Sequence, residues 1–470
     1  MITTTPKILI IVVTWNKREF VLRLLDSINH INYPKESLDI LVVDNASDDK
    51  TTESIRQAYP HIICIQNSTN LGGSGGFNTG LSWAFDQKEG QYTYIWLLDN
   101  DVVVHRNALI ELVQLLEAKK DAAIAGSTMM QLDYPWRINE IGAFINQANG
   151  NLILNRHLEE VITWKGLSIT QLLEADFKLS SYISFCPSHL DVDYVAAASL
   201  LVRADVAKKA GLWKDFFIHF DDVEWCQRIA MMGYRILVST QSLIWHLSAV
   251  TKVPTWILYY DNRNRLYLLK EKGLSPEQIK PTYQYILKKA LYYTLLGKTE
   301  LAQLHIMAIK DYQQGYLGHK SIALSFQTQP NSQILTILDN PSIRSVLIPW
   351  TINLSAMKIQ EAIAQLLLKR KDLHITFLTC PGGFPLYQLP KSNFIYVPMN
   401  RFQRWQLYWK LRGRFDLVFQ SDYQPILGLS HLKSKILFIN DENFALFNTP
   451  KSQDIYNCVR QILNLWNSSN

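Results

Sequence analysis

The sequence predicts an α/β chain in two parts, on three observations. In the first hundred residues short apolar runs alternate with segments of helical period, the pattern of a mainly parallel sheet with helices on both faces. The stretch Gln327 to Pro341 is polar and carries two prolines, which marks a linker. Beyond it a second, shorter α/β alternation begins. With 470 residues, 48% hydrophobic and 19% charged, the chain has the length and composition for two or more ordered domains.

Taken in order, Lys7 to Thr14 reads as the first strand. It is too short to span a bilayer, and Trp15-Asn16-Lys17-Arg18 closes it without a small-residue cleavage site, so a strand is expected here rather than a signal peptide. Arg18 to Ile28 places Phe20, Val21, Leu24, Leu25 and Ile28 on one helical face. Leu38 to Val43 is a second strand ending at Asp44-Asn45, and Ser47-Asp48-Asp49 offers a helix start. Ile62 to Gln66 is a third strand, Asn70 to Gly76 a glycine-rich loop, Phe77 to Phe85 a helix, and Tyr94 to Leu98 a fourth strand. Asn107 to Lys119 is helical, Asp193 to Val202 is an apolar, alanine-rich run, Asp222 to Met232 is a short helix stopped by Gly233, and Arg235 to Val238 is a strand.

Residues 281 to 320 read as helices in which Tyr283, Tyr285, Tyr292 and Tyr293 interleave with Lys288 and Lys289. That mixture suits a membrane headgroup interface and equally an ordinary packed helix pair. Past the linker, strands are expected at Ser345 to Pro349, His374 to Thr379, Phe394 to Val397, Phe415 to Phe419 and Lys435 to Ile439, with a helix over Ser355 to Lys371. The expected boundaries are 1–270 for the first domain, 271–326 for a helical extension, 327–342 for the linker and 343–470 for a second, smaller Rossmann-like α/β domain.

The formal charge of +6 is too small to argue for nucleic acid and suits an anionic ligand or an anionic membrane surface. Five cysteines, far apart and without a C-x-x-C pair, read as reduced thiols of a cytosolic protein. No segment has eighteen uninterrupted apolar residues, so any membrane contact is expected to be peripheral.

The chemistry concentrates where strands end. The fourth strand delivers Asp99 and Asp101 to its carboxyl end, where open α/β sheets form their ligand crevice. Two carboxylates at that spacing can hold a hard divalent cation, and through it a diphosphate. Alone, such a pair is also a common turn or cap. Its company is Val13-Thr14-Trp15-Asn16 after strand one, Val43-Asp44-Asn45 after strand two, and Asn70-Leu71-Gly72-Gly73-Ser74-Gly75-Gly76-Phe77. Further on stand Phe216-Phe217-Ile218-His219-Phe220-Asp221-Asp222-Val223-Glu224-Trp225, then Trp245-His246, then Tyr259-Tyr260-Asp261-Asn262-Arg263-Asn264. Asp221 and Glu224 have capping-box spacing. Asp222 would then sit in the first helical turn with its carboxylate free.

In this ordered set, over roughly residues 7 to 270, the chain resembles glycosyltransferase family 2, of GT-A fold, and most closely its galactofuranosyl- and rhamnosyltransferase branch. The resemblance implies an inverting transferase that uses a nucleotide-diphosphate sugar and a saccharide or lipid-linked acceptor in surface polysaccharide synthesis, at the inner face of the plasma membrane. It implies that Thr14 and Asp44 meet the nucleoside, that Asn45, Asn70 and Gly73 lie near the donor, that Asp99 and Asp101 engage metal and diphosphate, and that Asp99, Asp101 and His246 hold manganese or magnesium. It places the catalytic base in the acidic pair, with Asp222 preferred and Asp221 and Glu224 as support. Trp225 and Asp193 are assigned to the acceptor side and Arg263 to a phosphate of donor or acceptor. Trp136, Trp213 and Trp225 suit either stacking on sugars or core places. The second domain is faintly similar to one half of heptosyltransferase-type GT-B enzymes, and Pro381-Gly382-Gly383 reads as a phosphate loop or a simple turn.

Three other readings share the alternating sheet. A sugar nucleotidyltransferase, like a dinucleotide-dependent dehydrogenase, expects its glycine-rich loop directly after strand one, where this chain has Val-Thr-Trp-Asn. A non-catalytic nucleotide-sugar sensor or scaffold would keep the fold and lose turnover.

Overall fold

The computed structural model describes residues 5–176, 179–184, 186–247, 255–326, 328–349, 351–352, 354, 359–379, 392–421, 426, 434–439, 443–447 and 451–468. The chain divides into two compact units, one of Met1–Ser248, Arg263–Ile279 and Gly315–Lys320, the other of Ala249–Asn262, Lys280–Gln314 and Ser321–Asn470. The α/β class expected from the sequence is what both units show.

The strands of the first unit, in chain order, are β1 Ile8–Thr14, β2 Leu38–Asp44, β3 Ile63–Gln66, β4 Tyr94–Asp99, β5 Val102–Val104, β6 Ala122–Gln131, β7 Ile138–Glu140, β8 Ala143–Ile145, β9 Leu152–Leu154, β10 His189–Asp191, β11 Leu200–Arg203 and β12 Arg235–His246. The main sheet runs β10-β12-β6-β11-β4-β1-β2-β3, with β5 paired to β12 and β7 to β6. From β3 to β4 it is parallel, as the alternation predicts. β11 then enters antiparallel between β4 and β6, and β10 lies antiparallel on β12. The alanine-rich run that supplies β11 gives no sign of direction, so this reversal was not visible in the sequence.

Alternation sorts the side chains of β1. Ile8, Ile10 and Val12 join Tyr94, Trp96 and Leu98 in a core closed by Val21, Leu24, Leu25 and Ile28 of the helix Arg18–Asn29 and by Leu109, Leu112, Val113 and Leu116 of the helix Ala108–Ala118. The other face of β1 meets a helix that begins at Gly72, not at Phe77, and runs to Phe85. The expected glycine-rich loop is therefore mostly helix. A Cβ on Gly76 would lie 2.4 Å from Val13 Cγ1, so the glycine lets this helix sit directly on β1.

The second unit has its own sheet, β13 Thr328–Pro330, β14 Ser345–Ile348, β15 His374–Thr379, β16 Ser392–Tyr396, β17 Leu417–Ser421, β18 Lys435–Ile439 and β19 Asn443–Phe447. Its order is β13-β19-β18-β17-β14-β15-β16, and the five strands from β18 to β16 are parallel. Counting those five in chain order gives 3-2-1-4-5, a doubly wound arrangement. Ile363 and Leu367 of the helix Gln360–Lys369 pack on one face, and Tyr408 and Leu411 of the helix Arg401–Leu411 on the other. The segment 327–342 is more than a connector. It supplies β13 and a short helix, Ile334–Leu338, whose Ile334 and Leu338 enter the core. Residues 381–383 lie outside the described residues.

In the helix Pro276–Leu295 Tyr285 and Lys288 are exposed, while Tyr292, Tyr293 and Lys289 are half-buried; the helix Thr299–Gln313 follows it. Tyr283 is buried with its hydroxyl on Leu465 O, and Lys298 lies over Tyr293 and Phe447. Among the described residues no helix is long and apolar enough to cross a membrane.

Candidate active site

The parallel strands end level with one another. Register pairs Thr14 with Asp44 and Val13 with Asp99, so the loops after β1, β2 and β4 open on the same edge. After two intervening residues, Asn100 and Asp101, the chain enters β5, which pairs antiparallel with the end of β12, setting His246 opposite Val102. That pairing folds His246 back over the turn at 100–101. Asp99, Asp101 and His246 each offer a ligand atom, and these atoms lie within 4.8 Å of one another. His246 Nε2 is 3.1 Å from Asp101 Oδ1.

The electrostatics of this trio fit a cation. Burial, and then the charge of Asp101, push Asp99 up to about 6. Burial also works to raise Asp101, but the hydrogen bond and charge of His246 outweigh it and hold Asp101 low. His246 is disfavoured as a cation by burial, yet the hydrogen bond to Asp101 and the charges of Asp101, Asp99 and Glu140 raise it. The cluster thus draws a proton to its imidazole to balance its acids. Two carboxylates and an imidazole are a donor set suited to manganese or magnesium.

The acidic pair opens a helix, Asp221–Met231, whose capping-box spacing is not used. Asp221 accepts from Ser74 Oγ at 2.7 Å instead, and Glu224 forms a two-pronged pair with Arg228, at 3.1 Å to Nε and 2.7 Å to Nη2. Both acids are buried. Asp222 is only partly buried. Its carboxylate accepts from Ala197 N at 3.2 Å and Val223 N at 2.8 Å. Burial first, then the charges of Asp221 and Asp99, raise Asp222 well above the usual carboxylate range. That shared charge effect places Asp222 near the Asp99 cluster.

The backbone that presents this helix is strained. Phe217, His219 and Phe220 all have positive φ, at 68°, 63° and 67°. For non-glycine residues that conformation costs on the order of 1 kcal/mol or more each. The helix Ile257–Glu271 holds the loop in place. Asn264 Nδ2 donates to the carbonyls of Phe216, Ile218 and His219, and Arg263 donates to Asn264 Oδ1, Gly318 O and Phe216 O. Both side chains are fully buried. Arg263, expected to meet a phosphate, is thus turned inward and positions the acidic loop. Gly72, at φ +71°, meets the same loop: a Cβ there would lie 2.1 Å from Phe217 O.

The other expected site residues are placed as follows. Thr14 Oγ1 accepts from Asn100 Nδ2 at 2.9 Å, tying the β1 end to the metal-candidate turn. Asp44 is buried and accepts from Ser47 N and Oγ and from Thr52 Oγ1, so it shapes its own turn. Asn45 bridges Gly72 O and Asn67 Nδ2, both at 2.8 Å. Asn70 Oδ1 accepts from Gly72 N, and a Cβ on Gly73 would be 3.6 Å from Asp221 Oδ2. Gly73 thus lies beside Asp221, while the Asn70 side chain serves its own turn. Asp193 Oδ2 accepts from Ile145 N at 2.7 Å, and its side chain serves that turn. Trp225 is wholly buried, donates to Gly211 O and packs on Trp213, which leaves no face for a sugar. Trp213 is likewise core, while Trp136 is half-buried beside Tyr134.

Two further residues stand beside these acids. Glu140, on β7, is buried and pushed up to about 7 by that burial, with the His246 charge pulling the other way. The Tyr194 hydroxyl is raised by burial, then by the charges of Glu140 and Asp222. Glu140 interacts by charge with His246, and Tyr194 with Asp222, so both belong with the same acidic cluster. Tyr194 follows the Asp193 that the sequence did single out; Glu140 stands in Arg137-Ile138-Asn139-Glu140, which carries no motif. A separate cavity of about 280 Å³, lined by Tyr33, Lys35, Asp39 and His61 among others, lies at the opposite ends of the strands and holds none of these groups.

Residues 9–163 match the family described as Glycosyl transferase family 2. Among curated relatives, the galactofuranosyltransferase GlfT2 of Mycolicibacterium smegmatis is 23% identical over 233 residues, 48% of this chain and 35% of its own length. The glycosyltransferase AglE of Haloferax volcanii is 24% identical over 239 residues, 50% of this chain and 65% of its own length. The chain thus covers less than two thirds of either relative. Among solved structures, a mannosyltransferase of Pyrobaculum calidifontis in complex with GDP-Man and Mn2+ aligns with a TM-score of 0.38 at 16% identity, over 67% of this chain and 77% of that one.

Proposed function

We infer from one premise, that residues 9–163 form a glycosyl transferase family 2 domain, that this chain transfers a sugar from a nucleoside-diphosphate donor to a saccharide or lipid-linked acceptor, with inversion at the anomeric carbon. The observation that carries the reading is the convergence of Asp99, Asp101 and His246 near a partly open Asp222. Asp99, Asp101 and His246 would hold manganese or magnesium, which when bound offsets charge on the departing diphosphate.

The chain's own residues have distinct tasks. Asp222 takes the proton from an acceptor hydroxyl as that oxygen bonds to the anomeric carbon and the bond to the diphosphate breaks. Its raised proton affinity makes it a stronger base than an exposed aspartate. The N–H groups of Ala197 and Val223 fix the direction of its lone pairs. Asp221, held by Ser74, joins the start of the glycine-rich helix to the acidic helix. Thr14, Asp44 and Asn45 fix the loops on the nucleoside side through the hydrogen bonds described above. Glu224 and Trp225 keep the acidic helix seated. Arg263 and Asn264 hold the strained loop that aims Asp222.

The name of the M. smegmatis relative favours galactofuranose as the donor sugar; a rhamnose-type sugar is the alternative that the resemblance leaves open. Synthesis of surface polysaccharide at the inner membrane face belongs to the same reading. A screen of nucleotide sugars with manganese, scoring release of the nucleoside diphosphate and its loss on chelation, tests it. Release that persists unchanged after full chelation removes the metal role. Donor binding without release from any donor, with acceptors supplied, moves the chain to the sensor reading.

A further inference from the structure

The helix Arg401–Leu411 in the second unit shows an apolar face that its own fold does not need. Its inner side is seated by Tyr408 and Leu411. On its outer side Phe402, Trp405 and Trp409 recur at helical spacing and are 65%, 56% and 59% exposed. They lie against one another in a row, with ring centroids 6.3 Å apart from Phe402 to Trp405 and 5.7 Å from Trp405 to Trp409, near parallel in each case. Met399, just before the helix, is 76% exposed, and Tyr396 on the edge strand β16 is 70% exposed. Large aromatics left in water together cost hydration free energy without stabilising the fold, and such a patch marks a contact surface.

Charge says which contact. Between 392 and 415 the chain carries five cations, Arg401, Arg404, Lys410, Arg412 and Arg414, and no acid. Around the helical wheel Arg401 and Lys410 lie on either side of the aromatic row, and both are exposed. Arg412 sits 4.8 Å above the ring of Trp409. Tryptophan among lysine and arginine is the composition of a helix that lies in the plane of a membrane surface, rings at headgroup depth and cations on lipid phosphates. A sugar-binding platform needs open ring faces. Here the faces of Trp405 and Trp409 are turned toward each other, and the guanidinium covers part of Trp409.

We propose that the helix Arg401–Leu411 docks this chain on a bilayer rich in anionic phospholipid, through Phe402, Trp405 and Trp409 with Arg401 and Lys410 beside them. The docking does not depend on the transfer chemistry, because it is read without donor or acceptor. It gives the membrane contact a different seat from the tyrosine- and lysine-bearing helices of 281–320.

The test is flotation of the full chain with phosphatidylglycerol-containing vesicles and with pure phosphatidylcholine vesicles. The wild type should float with the anionic vesicles, weakly with the neutral ones, and lose binding as salt rises. W405S/W409S and R401Q/K410Q should each lower anionic partition by about tenfold or more, with melting curves like the wild type because these side chains are exposed. The proposal is overturned if the wild type does not float, or if both variants float as well as it does. It is also overturned if the aromatic variant instead abolishes retention on a soluble polysaccharide, or splits a wild-type dimer, while vesicle binding stays absent.

Discussion

Asp222→Asn separates the chemistry of the site from its cost. Asn keeps the shape and can still accept from Ala197 N, but it cannot take a proton. Loss of a general base lowers turnover by about 10²–10⁴-fold, while donor affinity should stay within about threefold of wild type. Stability should move the other way. Folding raises the proton affinity of Asp222, through burial and the charges of Asp221 and Asp99. A carboxyl whose folded pKa lies above its unfolded value favours folding fully only below the unfolded pKa, and that contribution is lost as pH rises through the folded one. The ionised Asp222 is therefore a burden at neutral and alkaline pH. Each tenfold change in proton affinity is ~1.4 kcal/mol, so removing the charge should stabilise the chain by about 1–3 kcal/mol at pH near 8 and by almost nothing near pH 4. Wild-type transfer should fall as pH drops through a value above the ordinary carboxylate range. Product formation, donor titration and denaturant melts at the two pH values read all three. A variant that keeps turnover within tenfold, or is less stable than wild type at alkaline pH and no different in acid, refutes the reasoning.

Two further substitutions test the parts around it. Arg263→Lys keeps the charge but loses the fork that reaches Gly318 O, Phe216 O and Asn264 Oδ1; it should cost about 2–4 kcal/mol of stability, and turnover should fall more than donor affinity. A rise in donor KM with an unchanged melting curve would return Arg263 to the phosphate. Glu140→Gln removes a buried carboxyl whose charge reaches His246, and manganese affinity by calorimetry should weaken by about tenfold or more; unchanged affinity removes Glu140 from the proposed metal site.

The sequence made the strand-borne part of the site legible because its signals are local. Asp99 and Asp101 follow an apolar run directly, and Thr14 and Asp44 end two others. His246 is remote in sequence from them and came only from the family resemblance. What brings it home is the pairing of β5 with β12, which a strand of three valines cannot announce. Where local pattern and tertiary contact competed, contact won. Asp221 and Glu224 have the spacing of a cap, but Ser74 and Arg228 were better placed to bind them. The glycines of Gly72 to Gly76 read as a loop by propensity, yet closeness to β1 and to Phe217 needs them inside a helix. Arg263 read as a ligand for phosphate because burial has no sequence mark at a single arginine. Glu140 gave no mark at all.

These departures share a cause. The pocket gathers four acids, Asp99, Asp222, Asp221 and Glu140, that burial drives toward protonation. It hangs two of them on a loop with three residues in left-handed backbone. No local preference would build this, so the stabilising terms must come from elsewhere in the fold. The fully buried Arg263 and Asn264 saturate the loop carbonyls, and Ser74 holds Asp221. These contacts fix geometry, but they do not neutralise the acids. An anionic diphosphate would meet repulsion from such a pocket unless positive charge is supplied with it. His246 draws a proton toward the cluster, and a divalent ion on Asp99, Asp101 and His246 would displace that proton and supply more positive charge. On the proposed function, the crowding that raises the proton affinity of Asp222 would also make charge balance a condition of donor binding.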